Sequence, residues 1–384
     1  MSKVDFGQVL AAYDRGAAAI QGLPAGVYAD PATLEEERRG IFRRHWIAVG
    51  FAHDVPQPGD VAPVAAPDGT PLLLTRDRSG SVHVLVNVCR HRGMCLVEEK
   101  AAGVARIVCP YHAWSYDLDG RLRRAPHYHG FEQHGGEEVA DVVGGLERVR
   151  HALWNGLVFV NLSGDAEPFA DFVAPLAGRW AHLDMTGLAH GHSLRFALAA
   201  NWKLACENFV DIYHISKVHP SLNRYNSKMQ HHEFVDIGRD FIGSYTDRFT
   251  PADNAAGTLP KIPRVAGEPV QFNDAMAVFP NLLLTLFDDH FRAIIVEPDG
   301  HDRAVERVAV FFPAAAMTDE LAEHRRIAAE RFPVFNDEDV AVCEGLQRSF
   351  ARHGFPAGYL SPYFDETVRR YQRRYCEAMA AARG

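Results

Sequence analysis

The sequence predicts an α+β protein in two parts, a small all-β domain followed by a larger domain in which strands are flanked by long helices. Three observations carry that reading. From Trp46 the chain breaks into short Val-, Leu- and Ile-rich runs punctuated by Gly and Pro, a texture that ends near Ser163. Beyond it, isolated strands are followed by long helical stretches, the order expected of α+β architecture. The length of 384 residues suits two or three domains, each able to bury a core without disulfide staples.

Taken in order, residues 33–44 (TLEEERRGIFRR) form a charged helical patch entered through Pro31. The runs at 71–75, 82–86 and 156–160 are strands of the all-β part. Residues 168–183 read as a helix, 194–198 as a strand and 202–218 as a helix. Strands follow at 281–287, 291–296 and 307–312, then helices at 319–332, 338–349 and 364–382. No repeat or low-complexity tract interrupts this order.

Composition narrows the function. Forty Lys and Arg against forty-nine Asp and Glu give a net charge of −9, which disfavours a non-specific grip on nucleic acid or anionic lipid. Hydrophobic residues at 47% exclude disorder over most of the length. The longest apolar runs fall far short of the ~20 residues that cross a bilayer, and Met1-Ser2-Lys3-Val4-Asp5-Phe6-Gly7 does not resemble a secretion signal. A cytoplasmic protein is expected, its six cysteines serving as thiols or metal ligands.

Two Cys-His pairs are the most informative feature. Cys89-Arg90-His91 and Cys109-Pro110-Tyr111-His112 each join a soft thiolate to an imidazole in a tight loop, Gly93 and Pro110 favouring the turns. A [2Fe–2S] centre with two Cys on one iron and two His on the other needs this set. A structural zinc site uses the same ligands, but C-x-H is not its usual spacing. Cys95 reads as a small buried hydrophobe.

A second constellation follows in Glu207-Asn208-Phe209-Val210-Asp211-Ile212-Tyr213-His214-Ile215-Ser216-Lys217-Val218-His219-Pro220. Asn208, Asp211 and His214 fall on one face of the predicted helix. Pro220 discourages helical geometry at His219, letting both imidazoles converge. Two His and one carboxylate suit a non-haem Fe(II) site. The carboxylate is sought in Asn336-Asp337-Glu338-Asp339, where Asp339 opens a predicted helix and Asp337 is the alternative ligand or its cap.

These motifs resemble the Rieske non-haem iron oxygenases, and specifically their α (terminal oxygenase) subunit in the aromatic-ring-hydroxylating dioxygenase family. The resemblance runs from roughly Phe42 to Gln347. Tyr111 stands where respiratory Rieske proteins carry an extra Cys, which points to the oxygenase branch. The resemblance implies a Rieske [2Fe–2S] domain at 42–165, held by Cys89, His91, Cys109 and His112. It implies a catalytic helix-grip (START-like) domain at 166–384, an antiparallel sheet with helices, on which the helical segment 1–41 packs. His214, His219 and Asp339 would bind mononuclear Fe(II). Asp211 would be the carboxylate linking the two centres between subunits of a homotrimer, with Asn208 beside it in the catalytic set.

The implied reaction is O2 activation and hydroxylation of an organic, aromatic substrate. Asp rather than Glu at position 211 favours that over oxidative N-demethylation of a quaternary ammonium or N-methyl compound. No G-x-G-x-x-G, P-loop or plant-type ferredoxin spacing is present, and the doublets Gly135-Gly136 and Gly144-Gly145 read as turns. Electrons would come from a separate NAD(P)H-dependent reductase, with or without a ferredoxin, and a β subunit is a further expected partner. The rival classes are a Rieske electron carrier without oxygenase chemistry and a ligand-binding protein with structural zinc. Phe209, Val210, Tyr213, Leu282, Leu284, Leu286 and Ile294 line a pocket or serve as core, and Arg292 meets a carboxylate or faces solvent.

Overall fold

The computed structural model describes residues 4–14, 20–220, 232–246, 259–267, 272–353 and 356–383. The chain divides into two compact units, Phe42–Ala166 and Met1–Ile41 together with Glu167–Gly384. The first 41 residues carry α1 (Phe6–Asp14), β1 (Ile20–Gln21), α2 (Gly26–Ala29) and α3 (Pro31–Glu37). Asp30 starts α3 by accepting a hydrogen bond from Ala32 N, with Pro31 in the first turn, where its missing N–H is not needed.

The unit Phe42–Ala166 is built from β2 (Ile47–Phe51), β3 (Val61–Ala65), β4 (Pro71–Arg76), β5 (Val82–Val86), β6 (Ile107–Val108), β7 (Ser115–Tyr116), β8 (Leu122–Gly130), β9 (Gln133–Gly135), β10 (Arg150–Trp154) and β11 (Leu157–Asn161), with α4 (Glu137–Val143) between the last two hairpins. They form sheets ordered β3-β4-β5, β6-β7-β8-β9 and β10-β11-β2, antiparallel throughout. The core of this unit gathers Leu73, Leu85, Leu96, Ile107, Trp114, Tyr116 and Leu122 together with Cys89 and Cys109.

The other unit continues with α5 (Phe169–Trp180), β12 (Leu188–Leu198), α6 (Trp202–Val210), α7 (Ile215–Val218), β13 (Glu233–Asp236), β14 (Phe241–Thr246), β15 (Asn273–Val278), β16 (Leu282–Phe287), β17 (Phe291–Pro298), β18 (Ala304–Pro313), α8 (Ala322–His353), β19 (Tyr359–Leu360) and α9 (Glu366–Arg383). Its sheet is seven-stranded and antiparallel, ordered β12-β18-β17-β16-β15-β14-β13. The helix-grip expectation is met.

Every residue of β16 is buried, because both faces of the sheet are covered. α5 lies on one face, where Trp180 meets Phe291 edge-on and donates its indole N–H to Asp274 at 2.9 Å. Leu284 and Leu286 share that face by register with Ala293 and Phe291, so they are core. α8 lies on the opposite face, where Arg292 rests on Phe332 and Asn336 donates to Glu306 at 2.7 Å.

Two expected elements differ from the sequence reading. The helix foreseen at 202–218 is two, because the chain turns extended at Asp211 (φ −75°, ψ 115°) before α7 begins after His214. Asp211 Oδ1 accepts from Tyr213 N at 2.6 Å, a local bond that competes with the helical ladder. The helices foreseen at 319–332 and 338–349 are instead one, α8, with Pro333 inside it. A proline removes one N–H and costs about 3 kcal/mol, but the apolar face of α8 continues on both sides of it. Asp339 therefore lies in mid-helix rather than at a helix start. Asp337, also in mid-helix and exposed, caps nothing.

A buried polar network anchors α6. Lys203 Nζ donates to Glu37 Oε1 at 2.5 Å, and Glu37 also accepts from Trp202 Nε1 and Tyr375 Oη. The rings of Trp202, Tyr28 and Tyr375 surround the ammonium at 5.2–5.6 Å. Burial lowers the Lys203 pKa against the pull of Glu37. This contact ties α3 and α9 to the helix that leads into the second constellation.

Candidate functional site

In the unit Phe42–Ala166 the two Cys-His loops are built alike. Cys89 N donates to Met94 O and Gly93 N returns to Cys89 O; Cys109 N donates to Trp114 O and Ala113 N returns to Cys109 O. The equivalent fourth positions, Gly93 and Ala113, both have positive φ, at 75° and 57°. Gly meets that requirement freely, whereas Ala tolerates it at a cost.

Both thiols are buried, while His91 is exposed and His112 partly so. The two imidazole centroids lie 4.7 Å apart, and His91 stacks on Trp114. Tyr116 Oη sits 3.2 Å from Cys89 Sγ. Burial raises the Cys89 thiol pKa, as does the neighbouring Cys109. Two buried sulfurs and two outward imidazoles fit a [2Fe–2S] centre with one all-sulfur iron and one His-ligated iron near the surface. All six cysteines are free, and Cys95 is half-buried with Asn87 Nδ2 at 3.6 Å from its sulfur.

In the other unit, His214, His219 and Asp339 come together. His214 Nε2 is 3.1 Å from His219 Nε2, and Asp339 Oδ1 is 3.2 and 2.9 Å from those two nitrogens. Metal–ligand bonds of about 2.1 Å meeting near right angles set neighbouring donors about 3 Å apart, whereas tetrahedral angles set them about 3.4 Å apart. The three distances fit one face of an octahedron. Asp339 Oδ1 is moreover buried without a hydrogen-bond partner, as expected of an oxygen aimed at a cation. A cation there would satisfy all three.

Each imidazole has its own carboxylate behind it. Asp211 Oδ2 is 3.2 Å from His214 Nδ1, and Glu338 Oε2 is 2.6 Å from His219 Nδ1. Such partners set the tautomer that turns Nε2 toward a metal. Burial alone would lower the His214 pKa, but Asp211 and Asp339 outweigh it and raise it to about 9. His219 is shifted the same way, burial opposed by Asp339 and Glu338.

His219 leaves the α7 helix with φ −114° and ψ 71°, as Pro220 predicted. Asn208 sits in the last turn of α6, and among the described residues its side chain bonds none of Asp211, His214, His219 or Asp339. The break at Asp211 takes it off the shared helical face that the spacing suggested. Of the two aspartates weighed, Asp339 supplies the converging oxygen. Sequence reasoning missed Glu338, although it stands in the same acidic run. Neighbours on a helix point about 100° apart, and here each reaches a different edge of His219.

Comparison with known proteins agrees with both halves. Residues 45–135 match the Rieske [2Fe-2S] domain, and residues 185–381 match the family described as ring hydroxylating alpha subunit (catalytic domain). The glycine betaine monooxygenase oxygenase subunit of Chromohalobacter salexigens is 36% identical over 200 residues, 52% of this chain and 43% of that protein. The large oxygenase component of the 2,4-dinitrotoluene dioxygenase system of Burkholderia sp. is 33% identical over 208 residues, 52% of this chain and 44% of that protein. The matches thus span less than half the length of these relatives. Among solved structures, the quaternary ammonium Rieske monooxygenase CntA with L-carnitine superposes with a TM-score of 0.78 at 19% identity, covering 98% of this chain and 99% of that one. At that identity the likeness concerns the fold.

Proposed function

The chain belongs to the ring-hydroxylating α-subunit family, with a Rieske domain ahead of the catalytic one, and on that premise we propose that it is a terminal oxygenase. It would hydroxylate an organic, aromatic substrate with O2. The observation that carries this reading is the convergence of His214 Nε2, His219 Nε2 and Asp339 Oδ1 within 2.9–3.2 Å of one another. A bare electron carrier has no use for such a site.

A ferrous ion held by those three donors supplies O2 activation, and a [2Fe–2S] centre supplies the electrons one at a time. The protein's own contribution is to hold and orient. Cys89 and Cys109 offer sulfurs from a sealed core, and with Cys89 as a thiolate the Tyr116 hydroxyl, 3.2 Å from its Sγ, would donate a bond of the kind that tunes cluster potential. His91 and His112 face outward, where an electron can leave. Asp211 Oδ2, 3.2 Å from His214 Nδ1, is placed to orient that imidazole and, still partly exposed, can accept a second imidazole from the neighbouring subunit of a homotrimer. Glu338 holds the corresponding proton of His219.

The reductant is a separate NAD(P)H-dependent reductase, with or without a ferredoxin, a β subunit is a further partner, and the setting is cytoplasmic. No helix among the described residues is long and apolar enough to cross a membrane. A second reading, oxidation of a quaternary ammonium compound, is favoured by the 36% identity to a glycine betaine monooxygenase subunit. Oxygen uptake with a surrogate reductase tests the proposal. Substrate-dependent uptake that His214→Ala abolishes, with the cluster spectrum intact, supports it; uptake unaffected by that change refutes it.

A further inference from the structure

Among the described residues, Arg292 is a charge without a partner. It lies on β17, on the sheet face covered by α8, and its Nε is sealed from solvent with no hydrogen-bond partner. No carboxylate among the described residues pairs with it. On the strands of that face, Glu306 stands in register with Val296, four residues away along β17. Four strand residues span about 13 Å, too far for an ion pair. Glu306 is already held by Asn336. Burial pushes the Arg292 guanidinium down to about 10, so it remains cationic at neutral pH.

A half-buried guanidinium with its Nε sealed from water and no acid beside it is costly, and an anion would offset that cost. Two features show where that anion would lie. The guanidinium is 4.2 Å from the Phe332 ring centroid and 5.5 Å from that of Phe287, so it is positioned by stacking while its hydrogen-bonding edge is unused. Across the sheet from Arg292, the same face carries Thr285, then Ala275, then Ser244. These small side chains leave a floor beside the cation. Phe332, Asn336 and Asp339 follow at i, i+4 and i+7 on α8, so the ring under Arg292 is about 10 Å along the helix from the Asp339 donor.

We propose that Arg292 seats a substrate carboxylate, making the substrate of this site a small organic acid. The inference rests on the oxygenase reading and narrows it. A carboxylate meets the fork of Arg with two parallel N–H···O bonds, which orient the acid as well as hold it. The carbon to be oxidised then lies toward His214, His219 and Asp339. An aromatic acid and a betaine both satisfy this, whereas a hydrocarbon leaves the charge unmet and a cation lacking a carboxylate is repelled.

The test compares matched ligands on the intact protein with iron and cluster content verified. Benzoate, salicylate, anthranilate and glycine betaine are set against benzamide and choline, by calorimetric titration and by O2 uptake with a surrogate reductase. At least one acid should bind about 30-fold or more tightly than its counterpart lacking the carboxylate. Arg292→Met should lose that margin and Arg292→Lys should recover part of it, with iron content and cluster absorption unchanged. Equal binding of acid and counterpart, no binding by any acid, or full acid binding by Arg292→Met would overturn the assignment. The comparison on the unaltered protein stands even if Arg292→Met fails to fold. Naphthalene-driven uptake without acid binding would sink the carboxylate seat and leave the oxygenase intact. Acid binding without any uptake would do the reverse.

Discussion

Replacing Glu338 by Gln isolates the contribution of a side chain that touches no metal. The 2.6 Å contact between Glu338 Oε2 and His219 Nδ1 is a charge-assisted hydrogen bond, worth roughly 1.5–3 kcal/mol when shielded. The Glu338 side chain is 36% exposed, so solvent screening moves the value to the lower end or below, about 1.4 kcal/mol. That corresponds to about tenfold in the affinity of the site for metal, the low end of the 10- to 100-fold range typical of groups behind a ligating His. The assay is anaerobic titration of metal-free protein with Fe(II), repeated with Co(II) so that ligand-field absorption reports the site directly. The cluster spectrum should not change, because Glu338 belongs to the other unit. Unchanged affinity would refute the positioning role. A loss well beyond 100-fold would instead make Glu338 a ligand.

Three further outcomes follow. Asp211→Asn should leave both metal centres loaded yet slow oxidation of the reduced cluster by about tenfold or more in a single-turnover measurement; a wild-type rate would remove Asp211 from the electron path. Since His214 in metal-free protein keeps its proton up to about 9, metal must displace it. Apparent Fe(II) affinity should therefore rise roughly tenfold per pH unit from near neutrality and flatten above about 9, and a flat profile throughout would contradict the ion-pair geometry. The same raised pKa stabilises the metal-free fold fully below about 6.5, the unfolded value, and that contribution is lost as pH rises through about 9. Asp337→Ala, exposed in mid-helix, should change thermal stability by less than about 0.5 kcal/mol and leave iron content alone; loss of iron would reopen the choice of carboxylate.

Much of this was legible in the residues because the chemistry is local. Cys89 with His91 and Cys109 with His112 are each two or three positions apart, so one loop brings each pair together whatever the fold does elsewhere. Pro220 announced the end of the helix before His219 for the same local reason. What escaped depends on tertiary structure. The helix foreseen at 319–332 stops just before Pro333, yet α8 runs through that proline because Phe332, Asn336 and the residues beyond pack on the sheet. The split at Asp211 depends on a side-chain bond to Tyr213 N that no periodicity displays. Glu338 gained a role, and the choice left open for Arg292 narrowed, only once α8 was laid on the sheet. The first then gained His219 as a partner, and the second was left without one among the described residues.

Metal analysis of anaerobically purified protein shows whether one chain carries two iron centres. About three iron atoms and about two acid-labile sulfides per chain are expected, with zinc at trace level. Cys109→Ala should remove the sulfides and the cluster EPR signal, whereas His214→Ala should remove only the third iron. Two irons in the unaltered protein and no change in His214→Ala would make it an electron carrier. Zinc in place of iron at the Cys-His loops would contradict the account altogether.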